Sequence, residues 1–261
     1  MKAHYKNSPF QLEGVDFYVG DPDEMSPSGY MSLYALAQAS FAGVYTEMNK
    51  NVGSASTPPL PDEALKAAAY LLGGSRQSFE LTRRDPLQLN DRLDNPEPLS
   101  YSSPTLVVAR KSREIIGYAY AANVTSGSRS FKRQLKMRGT AHKYAWLREV
   151  VAAPNAPNGI GTTMAALLME EFDPRQPASA YTWRGNDVGE AFVSSLGFTT
   201  DIREKAREVQ PFGALAGTFD LIRWTASVSD ITSTINKKAQ ESGSLDMLER
   251  ARALAAETEL R

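Results

Sequence analysis

Leu33, Ala37, Phe41, Val44 and Met48 recur at intervals of three and four residues, the spacing that gathers side chains on one face of a helix, and they predict a helix from Ser32 to Met48. The glycine-, serine- and proline-bearing stretch NVGSASTPPLP ends it. A second helix opens at Pro61 and Asp62, carries Leu65, Ala68, Ala69 and Leu72 on one face, and is closed by Gly73 and Gly74. From Ser75 to Ser103 the chain is polar and contains prolines. This is too long for a plain loop in a compact domain and reads as a lid or insertion, with a short helix starting at Asp85 and Pro86.

Beyond it the period changes. TLVVAR (105–110) and EIIGYAYAANV (114–124) are rich in β-branched and aromatic residues and are separated by Lys111, Ser112 and Arg113, which predicts a β-hairpin. A third strand follows over YAWLREVVAA (144–153), then a helix in GIGTTMAALLMEEF, and a short strand near AYTW (180–183). A helix near DVGEAFVSSL (187–196) and strands around FTTDIRE and TFDLIRW complete the run. Past Ser227 two helical segments, DITSTINKKAQE and SLDMLERARALAAETE, are split by Gly243, with Ser244 as the expected N-cap of the second. The order is that of an α/β chain, without internal repeat.

Composition narrows the function classes. With 261 residues, 42% hydrophobic and 23% charged, the chain can bury a substantial core, and one domain with an appendage is the natural division. A net charge of −1 gives no whole-protein case for nucleic acid. The absence of cysteine excludes disulfides, thiolate catalysis and cysteine-ligated metals, and no other metal site is read. No apolar run approaches the ~20 residues of a membrane span, and the first residues lack the apolar centre of a signal peptide, so a cytoplasmic location without membrane attachment is expected.

The chemically suggestive stretch is PNGIGTTMAALL, starting at Pro157. A dinucleotide fingerprint would need a third glycine where Met164 stands, and an acidic residue farther along than Glu170 and Glu171. A P-loop would need lysine where Thr162 stands. What survives is a strand, a glycine turn and a helix start whose free amides, from Asn158 through Gly159, Ile160, Gly161 and Thr162 to Thr163, can accept an anion, with glycines allowing a pyrophosphate close to the backbone. The bland alternative is a simple strand-to-helix connection.

Three features in this order, the hairpin ending in IIGYAYA, the turn GIGTTMAALL after a strand, and Asn186 followed eleven residues later by Gly197-Phe198, resemble the GNAT superfamily of N-acetyltransferases over about 105–224. The resemblance implies a mixed, mainly antiparallel α/β sheet flanked by helices, with the two early helices and the insertion inside 1–104, a GNAT-like domain over 1–227 and a helical C-terminal extension over 228–261. It also implies acetyl-coenzyme A, or another acyl-coenzyme A, as co-substrate between splayed strands, with its pyrophosphate on the amides of 158–163, its pantetheine arm beside the backbone of Val150 and Val151, and Asn186 near the ligand. Two departures stand out. Ala156 occupies the place of the family's turn arginine or glutamine, and Val193 that of the tyrosine that protonates the leaving thiolate; neither Ser194 nor Ser195 is promoted to that role.

Glu149 lies in an otherwise apolar strand, and both a general base and an outward, salt-bridged carboxylate explain it. His142 reads as a solvated loop residue before a catalytic one, and Asn186 also fits a helix cap. The segment 126–144 holds six lysines or arginines and no acid. It is a solvated connection or, through Arg129, Lys132, Arg133, Lys136 and Arg138, an attractor for an anionic acceptor or an RNA backbone, with Phe131 and Tyr144 available to stack on bases. The sequence thus points to transfer of an acyl group from acyl-coenzyme A to a primary amine on a small molecule or protein. The competing reading is a degenerate fold module that binds a nucleotide, RNA or protein without turnover.

Overall fold

The computed structural model describes residues 10–22, 25–26, 29, 32–33, 35–37, 40, 100–125, 143–183, 186–200 and 221–257. The expected helix over 61–74, residues 75–99 of the expected connection, the basic residues 129–138, Phe131, His142 and the strand residues 201–204 lie outside them; the last residues of that connection, 100–103, are strand and not loop.

Seven strands form one sheet in the order β1-β2-β3-β4-β5-β7-β6, where β1 is Val15–Gly20, β2 Ser100–Lys111, β3 Glu114–Thr125, β4 Lys143–Ala152, β5 Pro177–Trp183, β6 Thr199–Thr200 and β7 Leu221–Ser227. Every neighbouring pair is antiparallel except β4 and β5. The hairpin β2–β3 turns on Ser112 and Arg113, with φ of 51° and 74°, the left-handed pair that a two-residue turn requires to match strand twist. Strand β1 is an element the period reading passed over. Its signal is the alternation of Val15 and Phe17, both buried, with the exposed Asp16.

Helices cover both faces. On one side α1 (Ile160–Glu170), α2 (Asp187–Ser195), α3 (Val228–Glu241) and α4 (Leu245–Glu257) enclose a core that includes Phe17, Val107, Leu147, Met164, Leu168, Trp224, Ile231 and Leu248. On the other, helical residues within 29–40 bring Leu33, Leu36 and Ala37 onto Leu106, Val108, Tyr118, Tyr120 and Val151. These are the described part of the first helix read from the sequence.

The two C-terminal helices belong to the first of these cores through Ile231, Ile235, Ala239, Leu248, Ala251 and Ala255. Helix α3 starts two residues before the expected Asp230, because the Ser227 hydroxyl accepts the Asp230 amide at 3.0 Å and caps it. Arg252 of α4 reaches Glu170 of α1 at 2.6 Å and Asn236 of α3 at 2.7 Å, tying three helices together. Ser244, expected as a cap, has its hydroxyl engaged elsewhere: it accepts the Phe10 amide at 3.1 Å, 234 residues away in sequence.

Candidate active site

The parallel pair decides where an opening lies. Strands β4 and β5 are bonded only over Ala145–Leu147 and Ala178–Ala180, although β4 runs on to Ala152 and β5 to Trp183. Past Leu147 and Ala180 the strands part, while β4 stays paired to β3 as far as Ala152 and β5 to β7 as far as Trp183. A fork therefore opens inside the sheet, and one edge of β4 faces it without a strand partner among the described residues.

The backbone of that edge can be assigned. The Ala153 amide donates to the Ile116 carbonyl at 2.8 Å, so by the two-residue alternation of an antiparallel ladder Val151 turns its backbone groups to β3, and Val150 turns its own to the fork. Of the two valines expected to meet a pantetheine arm, Val150 has the free edge and Val151 does not. The far end of the edge is closed by Ser40, whose hydroxyl donates to the Ala152 carbonyl at 3.0 Å.

Glu149 reaches the opposite face of the sheet from Leu147 through a β-bulge. Tyr120 pairs with Glu149 and the next residue, Ala121, pairs with Leu147, so Arg148 is an extra residue in β4. Were the three residues 147–149 paired regularly, Leu147 and Glu149 would share a face, since side chains alternate with period two. With the bulge, Glu149 joins Tyr118, Tyr120 and Val151 on the face under the N-terminal helix. The Arg148 guanidinium lies 5.3 Å from the Trp146 ring centre, a cation–π distance that keeps a positive group beside the carboxylate.

Glu149 is half-buried. Burial pushes its pKa above the ordinary carboxylate value, and this outweighs the Arg148 charge and the nearby Tyr118 hydroxyl, both of which favour the ionised form. A raised carboxylate pKa is what a general base working near neutrality needs. Tyr118→Phe removes one of the two groups that hold this pKa down. The acidic limb of the kcat/KM–pH profile should then move to higher pH, with the plateau rate nearly retained; an unmoved limb in a folded variant would separate Tyr118 from Glu149.

At the mouth of the fork lies the turn before α1. Gly159 has φ of 87°, in the left-handed region, and a Cβ there would sit 2.7 Å from the Phe10 ring, so both the conformation and the packing demand glycine. The six amides expected to be free are only partly so. Ile160 donates to the Pro157 carbonyl at 3.4 Å and Thr163 to the Gly159 carbonyl at 2.8 Å, as the first turn closes. The amides of Asn158, Gly159, Gly161 and Thr162 have no partner among the described residues. The Ile160 and Thr163 side chains are fully buried in the core, and the Thr163 hydroxyl has no hydrogen-bond partner among the described residues.

Gly161 and Val150 come together across the fork, where a Cβ at 161 would lie 3.7 Å from a Val150 γ-carbon and 3.3 Å from the Phe192 ring of α2. Phe192 is a residue the sequence reading missed; its signal is an aromatic immediately before Val193. Val193 is buried in the core, so nothing at that position presents a hydroxyl to the fork. Ala156, in place of a turn cation, packs against the same core. Asn186 caps α2, its side chain accepting the Gly189 amide at 3.0 Å, so its carbonyl oxygen is committed to the helix.

No family model matches the chain, and no curated protein matches its sequence. Solved structures do match its fold. One is a GNAT-family protein from Desulfovibrio desulfuricans, put forward as an acetyltransferase (14% identity, 82% of this chain and 99% of that one, TM-score 0.43). Another is PaiA N-acetyltransferase from Thermoplasma acidophilum in complex with coenzyme A (12%, 80% and 98%, TM-score 0.39). A third is ribosomal-protein-alanine N-acetyltransferase from Brucella melitensis (22%, 56% and 78%, TM-score 0.34). At these identities and scores the likeness is one of fold, and no residue role is taken from it. By its own strand order the described chain is a mixed, mainly antiparallel α/β sheet flanked by helices, with one parallel pair parting inside it.

Proposed function

We propose that the chain is an acyl-coenzyme A dependent N-acyltransferase. The observation that carries this is the fork: among the described residues β4 loses β5 after Leu147, leaves the Val150 backbone open, and leads directly into a turn with four unpartnered amides. An extended amide-bearing arm fits the open strand edge as a strand would, and a pyrophosphate fits amides at a helix start. The residues present thus suit acyl-coenzyme A, held by Val150, Asn158, Gly159, Gly161 and Thr162. Bound there, it supplies an activated acyl carbonyl.

The chain's own chemistry is proton transfer. A primary amine with pKa ~10 is almost wholly protonated at pH 7, so a nucleophilic amine needs a base. Glu149, facing away from the first core and raised in pKa, takes that proton from the acceptor, directly or through a water. Arg148 and Tyr118 stabilise the carboxylate form between turnovers. The acceptor is a small-molecule or protein amine, and the basic residues 129–138 favour an anionic one. No helix among the described residues is long and apolar enough to cross a membrane. A cytoplasmic enzyme is part of the same reading.

Calorimetric titration with coenzyme A, paired with thiol release from acetyl-coenzyme A over a panel of amines, tests it. Binding with amine-dependent release is the expected result. Binding without release from any amine would favour the non-catalytic module, the reading supported by Val193 and Ala156, and no binding would overturn the coenzyme site.

A further inference from the structure

The turn that presents the four amides is held from behind by the two ends of the chain. The Asn158 carbonyl accepts the Gln11 amide at 2.9 Å, and the Phe10 ring lies where a Gly159 Cβ would stand, 2.7 Å from that point. Phe10 is itself fastened: its amide donates to the Ser244 hydroxyl at 3.1 Å, in the link between α3 and α4. Ser244 is 3% exposed and Phe10 6%, so this hydrogen bond is sheltered from water. Ser244 is also fixed by its backbone, its amide donating to the Ala239 carbonyl at 2.7 Å and its carbonyl accepting the Leu248 amide at 3.2 Å. The link is therefore rigid where it meets Phe10.

We propose that Ser244 and Phe10 are positioning residues of the pyrophosphate turn, through which the C-terminal helix pair holds the amides of Gly159, Gly161 and Thr162 in place. The proposal rests on the acyltransferase reading for its ligand. Its physical basis is that a cradle of amides binds an anion well only when the amides are held in place beforehand. A glycine turn lacking Pro157's amide and a cation at Ala156 has few internal restraints and depends on outside support. Ser244 supplies the only side-chain acceptor for Phe10 among the described residues, and Gln11 follows directly along the chain onto Asn158. The C-terminal helices thereby acquire a purpose beyond covering the sheet.

Amide hydrogen exchange on the ligand-free full-length protein tests the support without coenzyme. In Ser244→Ala the bonded amides of Gln11 and Thr163 should exchange at least roughly tenfold faster, while amides of β3, of β4 and of the middle of α3 keep wild-type rates. Ser244→Thr, which retains the hydroxyl, should restore protection. Calorimetry with coenzyme A should show roughly tenfold weaker binding for Ser244→Ala, with thiol release at saturating acetyl-coenzyme A unchanged, because the reacting groups are untouched. Unchanged exchange at Gln11 and Thr163 in a folded Ser244→Ala protein would overturn the proposal, as would a loss spread evenly over all strands. If the wild type binds no coenzyme A, the acyltransferase reading fails and the exchange experiment still decides whether Ser244 orders the turn. Should Ser244→Ala fail to fold, Phe10→Leu, which keeps the amide bond and removes the ring from Gly159, carries the same test.

Discussion

Glu149→Gln should lower kcat by roughly 10²- to 10⁴-fold at neutral pH with coenzyme A affinity almost unchanged, the range for removing a general base. Glutamine keeps the size and hydrogen-bonding reach of the side chain and loses its basicity, and the bulge at Arg148 still turns it to the same face. Part of the loss should return at alkaline pH, where the acceptor amine deprotonates unaided. Stability gives an independent check with a definite sign. Because burial raises the Glu149 pKa in the folded chain, its protonated form is favoured there, and the stability this contributes is present at acid pH and lost as pH rises through the folded pKa. The glutamine variant escapes that loss. It should melt no earlier than wild type at neutral pH, with the difference closing toward acid pH. A glutamate whose role was structural would show the reverse, early melting with an intact rate per folded molecule, and that result would remove Glu149 from the chemistry.

Gly161→Val should weaken coenzyme A binding by roughly a hundredfold, because it fills the fork and carries no compensating contact. The structure shifts the reason from the phosphate to the arm. A Cβ at 161 points to the Val150 side chain at 3.7 Å and the Phe192 ring at 3.3 Å, so valine's γ-carbons lie between α1 and the strand residue whose backbone faces the fork. Phe192 is only half-buried and its ring can move aside by the few tenths of an ångström needed, which keeps the melting temperature within a few degrees of wild type, for about 1 kcal/mol of strain. Gly161→Ala should fall between, since its single methyl reaches the ring without filling the fork. Titration of the three proteins with coenzyme A reads the series. Wild-type affinity in a folded valine variant would show that nothing binds along Val150.

The parts of this fold written in local period were legible. The hairpin 105–124, the strand over 144–153, and the helices at 160, 187, 228 and 245 lie where apolar spacing and caps place them, within a few residues. Strand β1 escaped because six residues with one turn of alternation carry little signal beside a polar start. The site was legible in its atoms and less so in their engagement. That Glu149 stands in an apolar strand is visible in the sequence; that Arg148 is an extra residue is a property of pairing with β3 and cannot be read from β4 alone. Ile160 and Thr163 belong to the right turn, but whether an amide is free depends on which carbonyl the first helical turn brings back to it. Val150 and Val151 look equivalent until the ladder to β3 gives one edge to each. Phe10 and Ser244, 234 residues apart, have no shared period at all.

The bulge in β4 makes the placement of Glu149 a matter of counting. Substitutions at 148 alter a cation over Trp146 and leave the carboxylate where it is, and removing that one residue would close the bulge with Leu147 still opposite Ala121 and Glu149 still opposite Tyr120, each on its present face. A residue gained or lost elsewhere in the paired strand does exchange inside for outside on one flank, driving Glu149 among the side chains around Met164 or expelling Leu147 and Ala145 from them. Length changes, which loops absorb freely, are thus tolerated within this strand at the bulge and excluded on either side of it. Lineages descending from this chain should vary at 148 in letter, and there alone in length, while the letters from Ala145 to Leu147 and from Glu149 to Ala152 keep their number.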